Sequence, residues 1–284
     1  MVMDFERFVA IDWSGAKGAR HKGIAAAMAT AGRATPALVR PAHIWSRTEV
    51  LEWLIEAAAE APTLFGFDFC AAPPRAGRGE YLPGEPGIPA DAKGFWEYVD
   101  RLSDDPDLGA ATFLERAHRR HFYFGAADGT KSDFLHHRVC ELRFNQGGGG
   151  KASTVYDAIG AAQVAKASFA GMRLLHRLDG MVAIWPFDSL PGQGSVVVEI
   201  YTRAFIRMAG QSGRKVRSVE GLDTALEALG SEKSGLVEAP SDHQTDVLIA
   251  AAGLRAIAGR PEYWAPQGMT PELARTEGWT FGVP

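Results

Sequence analysis

Three short apolar runs in this chain each carry an acid where an acid is costly. Phe8-Val9-Ala10-Ile11 ends on Asp12, and Leu64-Phe65-Gly66-Phe67 ends on Asp68. Val196-Val197-Val198 leads into Glu199 ahead of Ile200-Tyr201. Runs this short, rich in β-branched and aromatic side chains, read as buried strands. A lone carboxylate in such surroundings is unfavourable by several kcal/mol unless it is paired or holds a cation. One such acid is ordinary. Three, each in the best strand of its neighbourhood, point to a shared cation.

A fourth acid comes from a helix. Ser241-Asp242-His243-Gln244 is a capping box, and Val247, Leu248, Ala251 and Leu254 follow at helical spacing. Asp242 in the first turn complements the helix dipole. Asp246 lies one turn deeper, too far in to cap. Positions 242 and 246 share a helix face, as do 243 and 246, so Asp242 and His243 can reach the same site as Asp246. An oxygen-rich ligand set suits Mg²⁺ or Mn²⁺ rather than zinc. Two such ions roughly 3.5–4 Å apart can activate water and stabilise the leaving oxygen of a phosphoryl displacement.

The order of elements fits a mixed α/β sheet. Strands are expected over residues 8–11, 23–28 and 42–45, joined by short polar connections as an antiparallel meander. The capping box Ser46-Arg47-Thr48-Glu49 opens a helix to about residue 60. The strand ending at Asp68 then returns parallel, since a helix intervenes. Residues 70–150 break this rhythm. They are rich in Pro and Gly, then in Arg and His, and read as an insertion over the active face with some helix inside it. Gly147 to Gly150 reads as a hinge. A long helix is expected from about Ser153 to Leu178, with strands over 181–185 and 195–201. At 284 residues the chain suits one enlarged domain spanning 1–284.

Five segments carry a resemblance. Val9-Ala10-Ile11-Asp12-Trp13-Ser14-Gly15, Gly66-Phe67-Asp68, Tyr156 to Val164, Val198-Glu199-Ile200-Tyr201 and His243-Gln244-Thr245-Asp246 resemble, in order, a family of uncharacterised proteins described as predicted RNase H-like nucleases. The superfamily includes RNase H and RuvC-type resolvases, in which acids from the first strand, a central strand and the C-terminal helix bind metal. The resemblance implies an RNase H-like sheet of five or more strands flanked by helices, with a large helical insertion after the fourth strand. It also implies ligand roles for Asp12, Asp68 and Asp246. Glu199 and His243 would be further members of the set, and Thr202 stands where the family often has proline. The expected activity is metal-dependent phosphodiester hydrolysis. Asp12 would bridge two ions, Asp68, Glu199, Asp246 and Asp242 would be further ligands, and His243 would orient or deprotonate water.

Other signals bear on the substrate. Arg116, Arg119, Arg120 and Arg138, with His118, His121, His136 and His137, form a basic stretch around Phe122, Tyr123 and Phe124. It reads either as a phosphate-contacting, base-stacking surface, with Lys17 nearby in function, or as a solvated face beside an aromatic cluster. A zinc site from the four histidines is disfavoured by the lack of cysteine ligands. Gly147 to Lys151 fails the P-loop pattern at Asn145 and Ala152. The turn from Asp12 to Lys17 supports a rival reading, a nucleotide-binding phosphotransferase of the actin-like or sugar-kinase type. A third reading is a non-catalytic nucleic-acid-binding protein. The net charge of −4 gives no whole-chain signature of a nucleic-acid binder. Two distant cysteines, Cys70 and Cys140, and a short acidic start at residues 1–7 fit a cytoplasmic protein with no membrane partner.

Overall fold

A computed structural model describes residues 3–150, 152–159, 164–212 and 215–284. Six strands form one mixed sheet: β1 (Arg7–Asp12), β2 (Ala25–Thr30), β3 (Ala37–Leu38), β4 (Thr63–Asp68), β5 (Ala183–Trp185) and β6 (Val196–Glu199). Their spatial order is β3-β2-β1-β4-β6-β5. The first three strands are an antiparallel meander. β4, β6 and β5 run parallel to β1. The helices are α1 (Arg47–Glu60), α2 (Ala92–Arg101), α3 (Val139–Phe144), α4 (Val164–Leu178), α5 (Thr202–Met208), α6 (Val219–Ala228), α7 (Asp242–Ile257), α8 (Pro261–Trp264) and α9 (Pro271–Thr276).

Alternation along the strands builds a core on each face of the sheet, because successive side chains point to opposite sides. Phe8, Ala10, Leu64, Val196 and Val198 pack with α5, α6 and α7. Val9, Ile11, Phe65, Phe67 and Val197 pack with α1, α2 and α4. The antiparallel meander and the parallel return of β4 match the sequence reading.

Several boundaries differ from it. The third strand is Ala37–Leu38, not 42–45. Trp45 makes a single antiparallel bridge to His21 and is buried by packing rather than by a ladder. The long helix is described over Val164–Leu178. Residues 153–159 are loop, where Thr154 donates to the His136 carbonyl and Tyr156 to the Tyr81 carbonyl. Gly160 and Ala161, counted in that helix from the sequence, lie outside the described residues. The four-glycine run closes a wide helical turn at Asn145–Gly149 rather than opening a hinge, with Gly148 at φ +81°, a conformation glycine adopts without strain. The 70–150 stretch holds α2, α3 and several short turns. Among the described residues, no helix is long and apolar enough to cross a membrane.

Helix α7 lies close against α5 because Gly253 lets it. A Cβ built on Gly253 would fall 2.2 Å from the Phe205 ring on α5. Gly253→Ala is therefore expected to destabilise by about 1–3 kcal/mol through overpacking, despite a helix-propensity gain of up to ~1 kcal/mol. Urea unfolding measures this, and a neutral or stabilised variant would refute the close α5–α7 contact.

Candidate active site

The parallel register of β1 and β4 pairs Asp12 with Asp68, so the two carboxylates leave the same face of the sheet side by side. Adjacent strands lie about 4.8 Å apart. Helix α7 supplies the rest. Ser241 caps it, with its Oγ accepting from the Gln244 amide at 3.3 Å. That start fixes His243 and Asp246 over the ends of β1 and β4. His243 Nδ1 meets Asp12 Oδ2 at 2.6 Å. Asp246 is only 6% exposed; one of its oxygens is held by Lys215, and the other, Oδ1, is buried with no hydrogen-bond partner. Asp12, Asp68, Glu199, Lys215, His243 and Asp246 all line one cavity of about 540 Å³.

The electrostatics follow from crowding. Burial, and then the charge of Asp12, push the Asp68 carboxyl up to about 7, against a hydrogen bond from Thr202. Burial likewise raises Asp246, with Lys215 pulling it back. The hydrogen bond to Asp12 raises His243 and favours its imidazolium. Burial lowers the Lys215 ammonium, but the hydrogen bond to Asp246 and the nearby carboxylates outweigh it, and the net shift is upward. Lys215 was not singled out from the sequence. It lies outside any helix or strand, in a chain segment with no periodic pattern, and only the fold carries it to Asp246.

Glu199 shares the cavity but not the cluster. β6 registers Glu199 with Phe67, one residue short of Asp68. Alternation therefore sends it to the opposite face of the sheet. There it accepts from Arg138 Nη1 at 2.6 Å, the Ala71 amide at 2.7 Å and the Thr280 hydroxyl at 2.6 Å. Arg138, expected at a phosphate-contacting surface, is instead 1% exposed and also bonds Glu141. Asp242 turns outward to Arg217 at 2.9 Å and does not line the cavity.

None of the other expected substrate-binding cations lines the cavity, and Lys17, Arg119 and Arg120 are paired with acids. Lys17 bonds Glu115 at 2.8 Å. Arg119 bonds Asp128 at 2.7 Å and covers the Phe124 ring. Arg120 bonds Glu85 at 2.7 Å. Arg116 is exposed and does not line the cavity. Phe122 is a core residue packed on Tyr156 and Phe169 rather than a stacking platform. His137 contacts the Ala152 carbonyl at 2.9 Å, and the four histidines do not form one cluster.

The turn after Asp12 lines the cavity at Ser14, Gly15 and Ala16 and is braced by neighbouring groups. Arg47 donates to the Ser14 and Ala16 carbonyls, and the Ala16 amide donates to Ser14 Oγ at 3.3 Å. A Cβ on Gly15 would fall 2.2 Å from the Ala167 amide nitrogen of α4. Cys70 and Cys140 are free thiols, and burial raises both, Cys140 to about 12. Neither is an activated nucleophile. No family model, curated protein or solved structure matches this chain.

Proposed function

We propose that this chain is an RNase H-like, divalent-metal-dependent phosphodiester hydrolase whose ligands are Asp12, Asp68 and Asp246. The observation that carries the reading is the in-register Asp12–Asp68 pair facing Asp246 and His243 of α7 across one cavity. The antiparallel meander with β4 returning beside β1 supports the fold assignment. The donor set fits a hard cation: three carboxylates converge, Asp246 Oδ1 is buried without a partner, and burial and the adjacent Asp12 charge hold Asp68 far above its usual range. A divalent ion bound there supplies charge to phosphate oxygens and lowers the pKa of water.

The chain's own groups do the rest. His243, fixed at Nδ1 by Asp12, has Nε2 free to hold a proton at the reacting oxygens. Lys215, 47% exposed, can leave Asp246 for a phosphate oxygen when the carboxylate gains another cation. The cavity volume suits a nucleotide-sized phosphodiester.

The test uses bis(p-nitrophenyl) phosphate and short labelled DNA and RNA strands with Mg²⁺ or Mn²⁺. We expect metal-dependent hydrolysis and a metal-induced rise in Tm, both lost in Asp12→Asn. Hydrolysis without metal, or the same hydrolysis and Tm rise in Asp12→Asn, refutes the assignment.

A further inference from the structure

A second group of metal-type donors stands in the 70–150 stretch and has no part in the cavity just described. Glu85, His118 and His121 place their ligand atoms within 4.8 Å of one another. His121 Nε2 lies 2.9 Å from Glu85 Oε1, and His118 Nδ1 lies 3.8 Å from the same oxygen. None of the three lines the Asp12 cavity.

The decisive atom is His118 Nδ1. His118 is 5% exposed, and this nitrogen is buried without a hydrogen-bond partner. Its other nitrogen, Nε2, is engaged by the Tyr98 hydroxyl at 3.0 Å. If the ring proton sits on Nε2, a lone pair on Nδ1 faces a carboxylate with nothing between them. If it sits on Nδ1, the distance of 3.8 Å is too long for a hydrogen bond. Buried polar atoms are normally satisfied, and a cation between the imidazole and the carboxylate satisfies this one in the first case.

We propose that Glu85, His118 and His121 bind one transition-metal ion of the zinc class. Two imidazoles and one carboxylate are the donors such an ion prefers, and they disfavour magnesium. Zinc–ligand bonds of about 2.0–2.1 Å put tetrahedral donors roughly 3.3–3.4 Å apart. The observed 2.9 and 3.8 Å separations bracket that value, so small side-chain shifts complete the shell. The Tyr98 hydroxyl on His118 Nε2 is the outer contact that fixes a ligating imidazole. The fourth position is open to water. The ion ties Glu85, in a segment with little regular structure, to the turns at Phe113–Ala117 and Arg119–His121.

Arg120 is the competitor. Its Nε donates to Glu85 Oε1 at 2.7 Å and lies 3.3 Å from His121 Nε2, so it holds the charge a metal would supply. Its side chain is 63% exposed and can swing into solvent.

The experiment uses the full chain freed of metal by a chelator and titrated with Zn²⁺ against a chromogenic zinc indicator, with Co²⁺ absorption as the second readout. We expect one equivalent bound at micromolar affinity or tighter, retained in Asp12→Asn. Affinity should fall at least about tenfold in His121→Gln and in Glu85→Gln, with loss of the Co²⁺ ligand-field bands. Both variants alter partly accessible side chains, so folding is checked by metal-free Tm, and His118→Gln is not needed. Arg120→Ala should bind zinc more tightly than wild type. No binding at micromolar Zn²⁺, undiminished binding in both Glu85→Gln and His121→Gln, or weaker binding in Arg120→Ala would overturn the proposal and leave Glu85 as a partner for Arg120 alone.

Discussion

Asp68→Asn is expected to abolish metal-dependent hydrolysis, by at least about a hundredfold (roughly 2.7 kcal/mol of barrier), and to make the metal-free protein more stable at pH 8. The two effects have one cause. Asp68 sits beside Asp12 in a desolvated corner, and its carboxyl titrates near 7 instead of 3.8. The folded state therefore holds a proton that the unfolded state releases. Between about pH 4 and 7 the native protein binds more protons, so its stability falls as pH rises through that window. At about 1.4 kcal/mol per pH unit, and allowing for the partial exposure of Asp68 to the cavity, the penalty above pH 7 is on the order of 2–4 kcal/mol. Asparagine removes the charge and keeps an oxygen for the Thr202 amide, which now donates to Asp68 Oδ2 at 3.3 Å. The Tm difference between variant and wild type should be near zero at pH 3.5 and grow up to pH 8. Mg²⁺ or Mn²⁺ should close it at pH 8 by raising the wild type alone. A gap independent of pH, or one that metal leaves unchanged, would sink this account of Asp68.

Arg138→Met is expected to give a large loss of stability, about 3–5 kcal/mol, or a fall in Tm on the order of 10 °C. Arg138 is enclosed by Glu199, Glu141 and the Glu277 carbonyl. Removing the guanidinium leaves two carboxylates buried without a cation. The damage comes from the unpaired charges rather than from the lost contact. Adding Glu199→Gln to Arg138→Met should therefore recover part of the loss, because the amide oxygen can still accept from the Ala71 amide while its NH2 donates to the Thr280 hydroxyl oxygen. Thermal unfolding of both variants decides this, and a double variant no more stable than the single one would contradict it.

The same pair of carboxylates shows what sequence can and cannot locate. Asp12 and Asp68 were legible because each ends an apolar run, and two such runs in a sheet tend to be neighbours. His243 and Asp246 were legible because the capping box fixes the start of α7 and the helical period fixes its faces. Glu199 has the same local signature as Asp68, an acid ending a buried strand. Its fate turned on a register offset of one residue, which sends it to the opposite face and to Arg138. The partner lies 61 residues away in sequence, and no local pattern encodes that distance.

The histidine-rich stretch was visible as composition, but its grouping was not. The sequence offered four histidines, whereas the fold brings two of them to Glu85 and sends His137 to a backbone carbonyl. Its arginines looked like a phosphate surface because the acids that neutralise them, Glu85 and Asp128, are brought alongside only by the folded loops. By itself the sequence determined the strands that end in Asp12 and Asp68, the capped helix that carries His243 and Asp246, and the alternation that gives the sheet two buried faces. These rest on local periodicity and capping, which act over a few residues. Tertiary structure alone decided the placing of β6 and β5 beyond β4, the seating of Lys215 on Asp246, the burial of Arg138 against Glu199 and the pairing of Lys17, Arg119 and Arg120. Each depends on register and on contacts between distant segments, where a shift of one residue moves a side chain to the other side of the sheet.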